Sequence, residues 1–205
     1  MIMINKKVIS VLCILFLAHI SSAQQNNEES NLITIFDSES SKITGFGGSN
    51  LNFSSVMNQF AFFAGGKGGI IINHKTVFGI EGYHLTTDIT HKKIETNQNL
   101  NFIYGGFFGA YIVNWKSIVH LIPSVMIGWG GIGEKDNHSH NEHLDVSDSL
   151  FIIQPSLELE FNIYKAFRVG LGVNYRTVSG LNTDFYSNND FSSLGGILSL
   201  KFGKF

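Results

Sequence analysis

Phe151-Ile152-Ile153-Gln154-Pro155-Ser156-Leu157-Glu158-Leu159-Glu160-Phe161-Asn162-Ile163 is the stretch that decides how this chain folds. Every second residue from Phe151 is apolar: Phe151, Ile153, Pro155, Leu157, Leu159, Phe161 and Ile163. The interleaved set is Ile152, Gln154, Ser156, Glu158, Glu160 and Asn162. A period of two sorts side chains onto the two faces of a β-strand, whereas a helical stripe recurs at three and four. The next segment repeats the pattern, with Phe167, Val169, Leu171, Val173 and Tyr175 against Arg168, Gly170, Gly172, Asn174 and Arg176. Leu100, Phe102, Tyr104, Gly106, Phe108, Ala110 and Ile112 form a third series, and Val119, Leu121, Pro123, Val125, Ile127 and Trp129 a fourth. Residues 98–115 and 117–133 lack formal charge, but their glycines, asparagines and Pro123 make them poor helices.

Outward from these series the chain divides into eight segments, at about 43–56, 60–73, 76–89, 98–113, 117–132, 149–163, 166–179 and 192–205. Asn73-His74-Lys75, Asn114-Trp115-Lys116 and Tyr164-Lys165 are short connections; 90–97, 134–149 and 180–191 are longer and polar. Tight turns on one rim and long loops on the other are the layout of a transmembrane barrel. The first connection on the long-loop side, at Met57 to Gln59, is short and breaks the pattern. The fold class expected is therefore all-β: an eight-stranded antiparallel transmembrane β-barrel with short periplasmic turns and longer extracellular loops. A soluble barrel would need a charged outer face. Here the face opposite the apolar one is mostly glycine, serine and asparagine, which suits a crowded lumen. On this reading Tyr104, Trp129, Phe151 and Tyr175 face lipid at the outer rim, and Phe161, Phe167 and Phe202 at the periplasmic rim, as two aromatic girdles.

Composition agrees. The 205 residues are 43% hydrophobic and only 15% charged, with 22 glycines, against about 25% charged in ordinary globular chains. Net charge is −2 and the basic residues are scattered singly, so no patch exists to neutralise nucleic acid. Lys6 and Lys7, an apolar run from Val8 to Ile20, and Ser21-Ser22-Ala23 make a secretory signal peptide, residues 1–23, with cleavage expected after Ala23. The run is too short to span a bilayer. It also holds the one cysteine, Cys13, so the mature chain has no thiol. Residues 24–42 read as a loose polar leader, and 43–205 as the barrel.

This organisation resembles the small eight-stranded outer-membrane barrels of the OmpA and OmpX type in Gram-negative bacteria, over roughly residues 43–205. The closing Phe205 resembles the terminal aromatic through which such barrels engage the barrel-assembly machinery. Leu198, Leu200 and Phe202, however, alternate out of phase with it. Gly65-Gly66-Lys67-Gly68-Gly69, Phe167-Arg168-Val169-Gly170-Leu171-Gly172 and Leu200-Lys201-Phe202-Gly203-Lys204-Phe205 are similar to uncharacterised barrel proteins of the Bacteroidota. The resemblance implies a location in the bacterial outer membrane with outer-membrane lipid as partner, and it supplies no activity.

Parity places Lys67, Glu81, Glu158, Glu160, Arg168, Arg176 and Lys201 in the lumen, four positive charges against three negative. Low-dielectric surroundings require such charges to be paired, so a structural salt-bridge plug is expected; a gated ion path or a carboxylate pair at Glu158 and Glu160 is the sharper alternative. The longest loop carries His138, His140 and His143 among Glu134, Asp136, Glu142 and Asp145. Imidazoles and carboxylates at this density suit Zn²⁺, so loop 134–148 is the candidate metal site, with a solvated polar loop as the plain alternative. Otherwise no cofactor is expected. Lipid-A-modifying barrels use a histidine beside a serine or carboxylate; His84 near Asp88, or His138 with Ser139, would be the counterparts, and neither presents an oriented nucleophile and base. The function expected is not enzymatic: an integral outer-membrane barrel presenting extracellular loops to a ligand or partner, or serving a structural envelope role. A lipid-A-modifying enzyme or a narrow pore is the alternative.

Overall fold

The computed structural model describes residues 42–89, 99–135, 146–181 and 186–205. Eight strands follow one another: β1 Ile43–Val56, β2 Gln59–Ile72, β3 Thr76–Leu85, β4 Asn99–Tyr111, β5 Val119–Lys135, β6 Val146–Tyr164, β7 Phe167–Ser179 and β8 Ser193–Gly203, with a one-turn helix α1, Asn188–Phe191, before β8. Each strand pairs antiparallel with the next, and β8 returns to β1, Phe46 opposite Gly203 and Phe53 opposite Gly196. Closure leaves no edge strand, so every main-chain donor and acceptor in the wall can be met by a neighbour.

The turns are built by residues that tolerate a left-handed backbone. Asn73 and His74 hold φ of 51° and 62° between β2 and β3, and Asn114 holds 56° between β4 and β5. Together with the Lys165–Ala166 turn they occupy one end of the barrel, where the chain also enters β1 and leaves β8. The opposite end has a two-residue turn at Met57 and Asn58, over which α1 lies, the Met57 amide donating to Asp190 O. The unexpectedly short first connection thus leaves room for the last loop to fold across the mouth.

The wall's outward positions are apolar. Phe60, Ile80, Phe107, Ile127, Trp129, Leu157, Leu171 and Phe202 are exposed, and among the described side chains the outward strand positions carry no Asp, Glu, Lys or Arg. Only contact with lipid makes such a surface stable. Trp129 pairs edge-on with Phe151 near the long-loop rim, and Phe167 stacks on Phe202 near the other. Two strands depart from the sequence expectation in length. β3 stops at Leu85, and β5 and β6 run to 17 and 19 residues, well past the roughly 9–11 that cross a bilayer, so their hairpin projects beyond the wall.

A correction concerns β4. Leu100, Phe102, Tyr104, Phe108 and Ile112 point into the barrel, and Ile103, Phe107 and Tyr111 face outward. Tyr104, only 2% exposed, is therefore no part of a lipid-facing girdle. Both faces of β4 are apolar because half of the lumen is aromatic, so alternation alone could not say which series faced lipid.

Candidate functional site

The lumen is filled in layers. Nearest the short-turn end lies an alternating chain of six charges. Lys67 Nζ stands 4.0 Å from Glu81 and 2.6 Å from Glu158 Oε1. The other Glu158 oxygen accepts from Ser199 Oγ at 2.7 Å and lies 3.4 Å from Lys201 Nζ. Lys201 reaches Glu160 Oε2 at 2.6 Å, and Glu160 Oε1 meets Arg168 Nη1 at 2.8 Å. Register explains the assembly: Lys67 is directly opposite Glu81, and Arg168 opposite Lys201. Glycine makes the alcove, since a Cβ at Gly170 would strike Ser199 Oγ and Glu158 Oε2, and one at Gly172 the Glu158 backbone and stem. Space left beside the cluster amounts to about 20 Å³, room for roughly one water.

Arg176, the seventh ionisable residue placed inward, stands apart from this chain in the other half of the lumen. Its Nε donates to Phe191 O at 2.8 Å and Nη2 to Ser55 O at 3.1 Å. The rings of Phe63, Phe102 and Tyr104 surround the guanidinium at 4.6, 5.2 and 5.4 Å, a geometry in which aromatic faces stabilise a desolvated cation. Phe191, fully buried, packs edge-on against Phe102, and the capping box of Ser187 and Asp190 holds the helix that presents it. Arg176 therefore ties the last loop to the barrel mouth. Between the two layers sit buried Asn50, Asn52, Asn174 and Gln154; Asn50 donates to Tyr83 OH, and Tyr104 OH donates to Gln154.

Arg176→Lys is expected to loosen this latch, because an ammonium cannot span Phe191 O, Ser55 O and three ring faces together. Each lost bond to a charged donor is worth about 1.5–3 kcal/mol, so cleavage by added protease between Leu181 and Phe191 should accelerate about tenfold or more while the barrel stays folded. Unchanged cleavage would mean that α1 is held by other contacts.

Sequence reasoning missed Ser199, Tyr104 and Phe205. Ser199 shares the inward phase of β8 with Lys201, a usable signal. Phe205 turns inward, its ring 3.9 Å from the Arg168 guanidinium, so Phe202 is the outward aromatic nearest the C-terminus. His84 is exposed on β3 and Asp88 lies beyond the strand's end. His138, His140 and His143, with Asp136, Glu142 and Asp145, lie outside the described residues, as do the signal peptide and leader up to Ser41.

No known family profile matches the sequence, and no curated protein sequence matches it. Solved structures do. Neisserial surface protein A is 12% identical, with a TM-score of 0.58 over 81% of this chain and 99% of that one. Ail, the attachment invasion locus protein of Yersinia pestis, is 11% identical, with a TM-score of 0.44 over 80% and 97%. OprG, an outer membrane protein of Pseudomonas aeruginosa, is 9% identical with a TM-score of 0.35 over 80% and 93%. The first of these carries the comparison: the chain has the fold of a small outer-membrane β-barrel.

Proposed function

We propose that this protein is an integral outer-membrane barrel that acts through its extracellular loops, with the lumen serving as a structural plug. The observation that carries the reading is the filled interior: six paired charges, an amide layer and an aromatic layer latched by α1 leave no passage for a solute. A narrow pore would need an open path past Lys201 and Arg176, and a barrel enzyme a site that substrate could reach. On the long-loop side what remains accessible is the rim, where the β5–β6 hairpin projects furthest. Connections 90–97, 134–149 and 180–191 carry eight carboxylates against three lysines, which favours a cationic partner or a bridging divalent ion. The outward aromatic at Phe202 and the closing strand would serve recognition by the assembly machinery.

The test replaces residues 136–145 by an Asn-Gly turn, which suits a two-residue hairpin. Wild type and deletion should both migrate differently in boiled and unboiled detergent samples, and neither should show conductance steps in planar bilayers. Capture of surface partners by the wild type should be lost in the deletion. Unaltered capture, or conductance in the wild type, overturns the reading.

A further inference from the structure

The short-turn mouth holds an opening that loop-mediated binding does not use. Its walls are His74, Trp115, Tyr164 and Phe205, with Lys165 at the rim and Arg168 at the floor, around a cavity of about 580 Å³. Ligand sites commonly measure about 300–1,000 Å³. His74 and Trp115, from neighbouring turns, stack at 4.5 Å with their planes 18° apart, so the two turns present one aromatic wall. Arg168 is 8% exposed; its ion pair with Glu160 engages Nη1, one of the five donors in a fork shaped for bidentate capture of a carboxylate. Lys42, Lys75, Lys116, Lys165 and Lys204 are exposed at this end, and among the described residues no Asp or Glu is exposed there. Glu158 and Glu160, the carboxylates behind the floor, are already paired inside.

We propose that this mouth binds an acidic peptide, one carboxylate pairing with Arg168 and an adjacent apolar side chain packing against Trp115 and Phe205. The lysine ring draws the chain in and the aromatic wall holds it. An anionic lipid headgroup fits less well, because the cavity is lined by the inward residues Ile71, Ile112 and Arg168 and lies within the ring of strands, whereas the bilayer touches their outward faces.

Trp115 and Trp129 are the chain's two tryptophans, so Trp129→Phe leaves a single emitter in the cavity wall. The probe is a short synthetic peptide alternating glutamate and leucine with a free C-terminal carboxylate, titrated into the mature protein in neutral detergent. A saturable change in Trp115 emission is expected, weakened about tenfold or more by Arg168→Gln, as for loss of a charge-assisted bond, and weakened further by added salt. Lys165→Gln, on an exposed turn, should weaken it a few-fold and keeps the test decisive if Arg168→Gln fails to fold. The amidated glutamine–leucine counterpart should not bind. An equal response to both peptides, or a response to phosphatidylglycerol micelles with none to the acidic peptide, overturns the proposal.

Discussion

Glu158→Gln is expected to lower barrel stability by about 3–5 kcal/mol, the range for removing one partner of a buried ion pair. Glu158 stands between Lys67 and Lys201, and its second oxygen accepts from Ser199. A neutral amide can still hydrogen-bond, but it leaves one lysine charge in the lumen without its counterpart. Urea unfolding in micelles, followed by the shift between folded and unfolded migration, measures the loss. Adding Lys67→Met should recover only part of it, because it removes the stranded ammonium but also takes away the partner of Glu81, and the four variants of the cycle give the coupling directly. A loss below about 1 kcal/mol would mean that water, rather than protein, neutralises the cluster.

The neighbouring residue obeys the opposite rule. Leu157 is 44% exposed, midway along the lipid-facing series of β6, opposite Pro123 and Val173. Leu157→Arg should cost about 2–4 kcal/mol, as for a cation near the bilayer midplane. Ser156→Asn, on the other face, should cost less, because Ser156 already hydrogen-bonds Ser124 across the ladder at 2.5 Å and a polar side chain suits the lumen. Equal costs at both positions in the same unfolding assay would mean that the two faces are wrongly assigned.

How much of this was legible in the sequence depended on contrast between faces. β6 and β7 could be read residue by residue because leucine and valine alternate there with glutamate, arginine and asparagine. β4 could not, since Phe102 and Tyr104 on one side and Ile103 and Phe107 on the other are equally apolar. Its inward side is set by packing against Phe63 and Phe191, residues 39 and 89 positions from Phe102, which no local pattern reports. Parity placed seven charges in the lumen but not their partners. That Lys67, Glu158 and Lys201 form one chain while Arg176 serves a helix end follows from barrel register and shear. α1 was invisible for a different reason: a single turn has too few residues for periodicity, and it is held by Arg176 and the Met57 amide rather than by propensity. Turn chemistry was legible in Asn73 and Asn114, both asparagines in left-handed backbone.

The charge chain also bears on how the wall must form. Glu158 draws on Lys67 from 91 residues earlier in the chain and on Lys201 of the last strand, so it is not neutralised within its own hairpin, whereas Glu160 already meets Arg168 across the β6–β7 turn. In a sheet still open between β1 and β8 the pairs within β6, β7 and β8 and the Lys67–Glu81 pair on β2 and β3 can already form. The contact left to be made is Lys67 with Glu158 across the lumen, where an incompletely paired charge is unfavourable. Closure of β1 on β8 therefore completes the charge chain by bringing Lys67 against Glu158. Such pairing between sequence-distant ends is intrinsically slow, so the last contact of the charge chain waits on the slowest step of the wall.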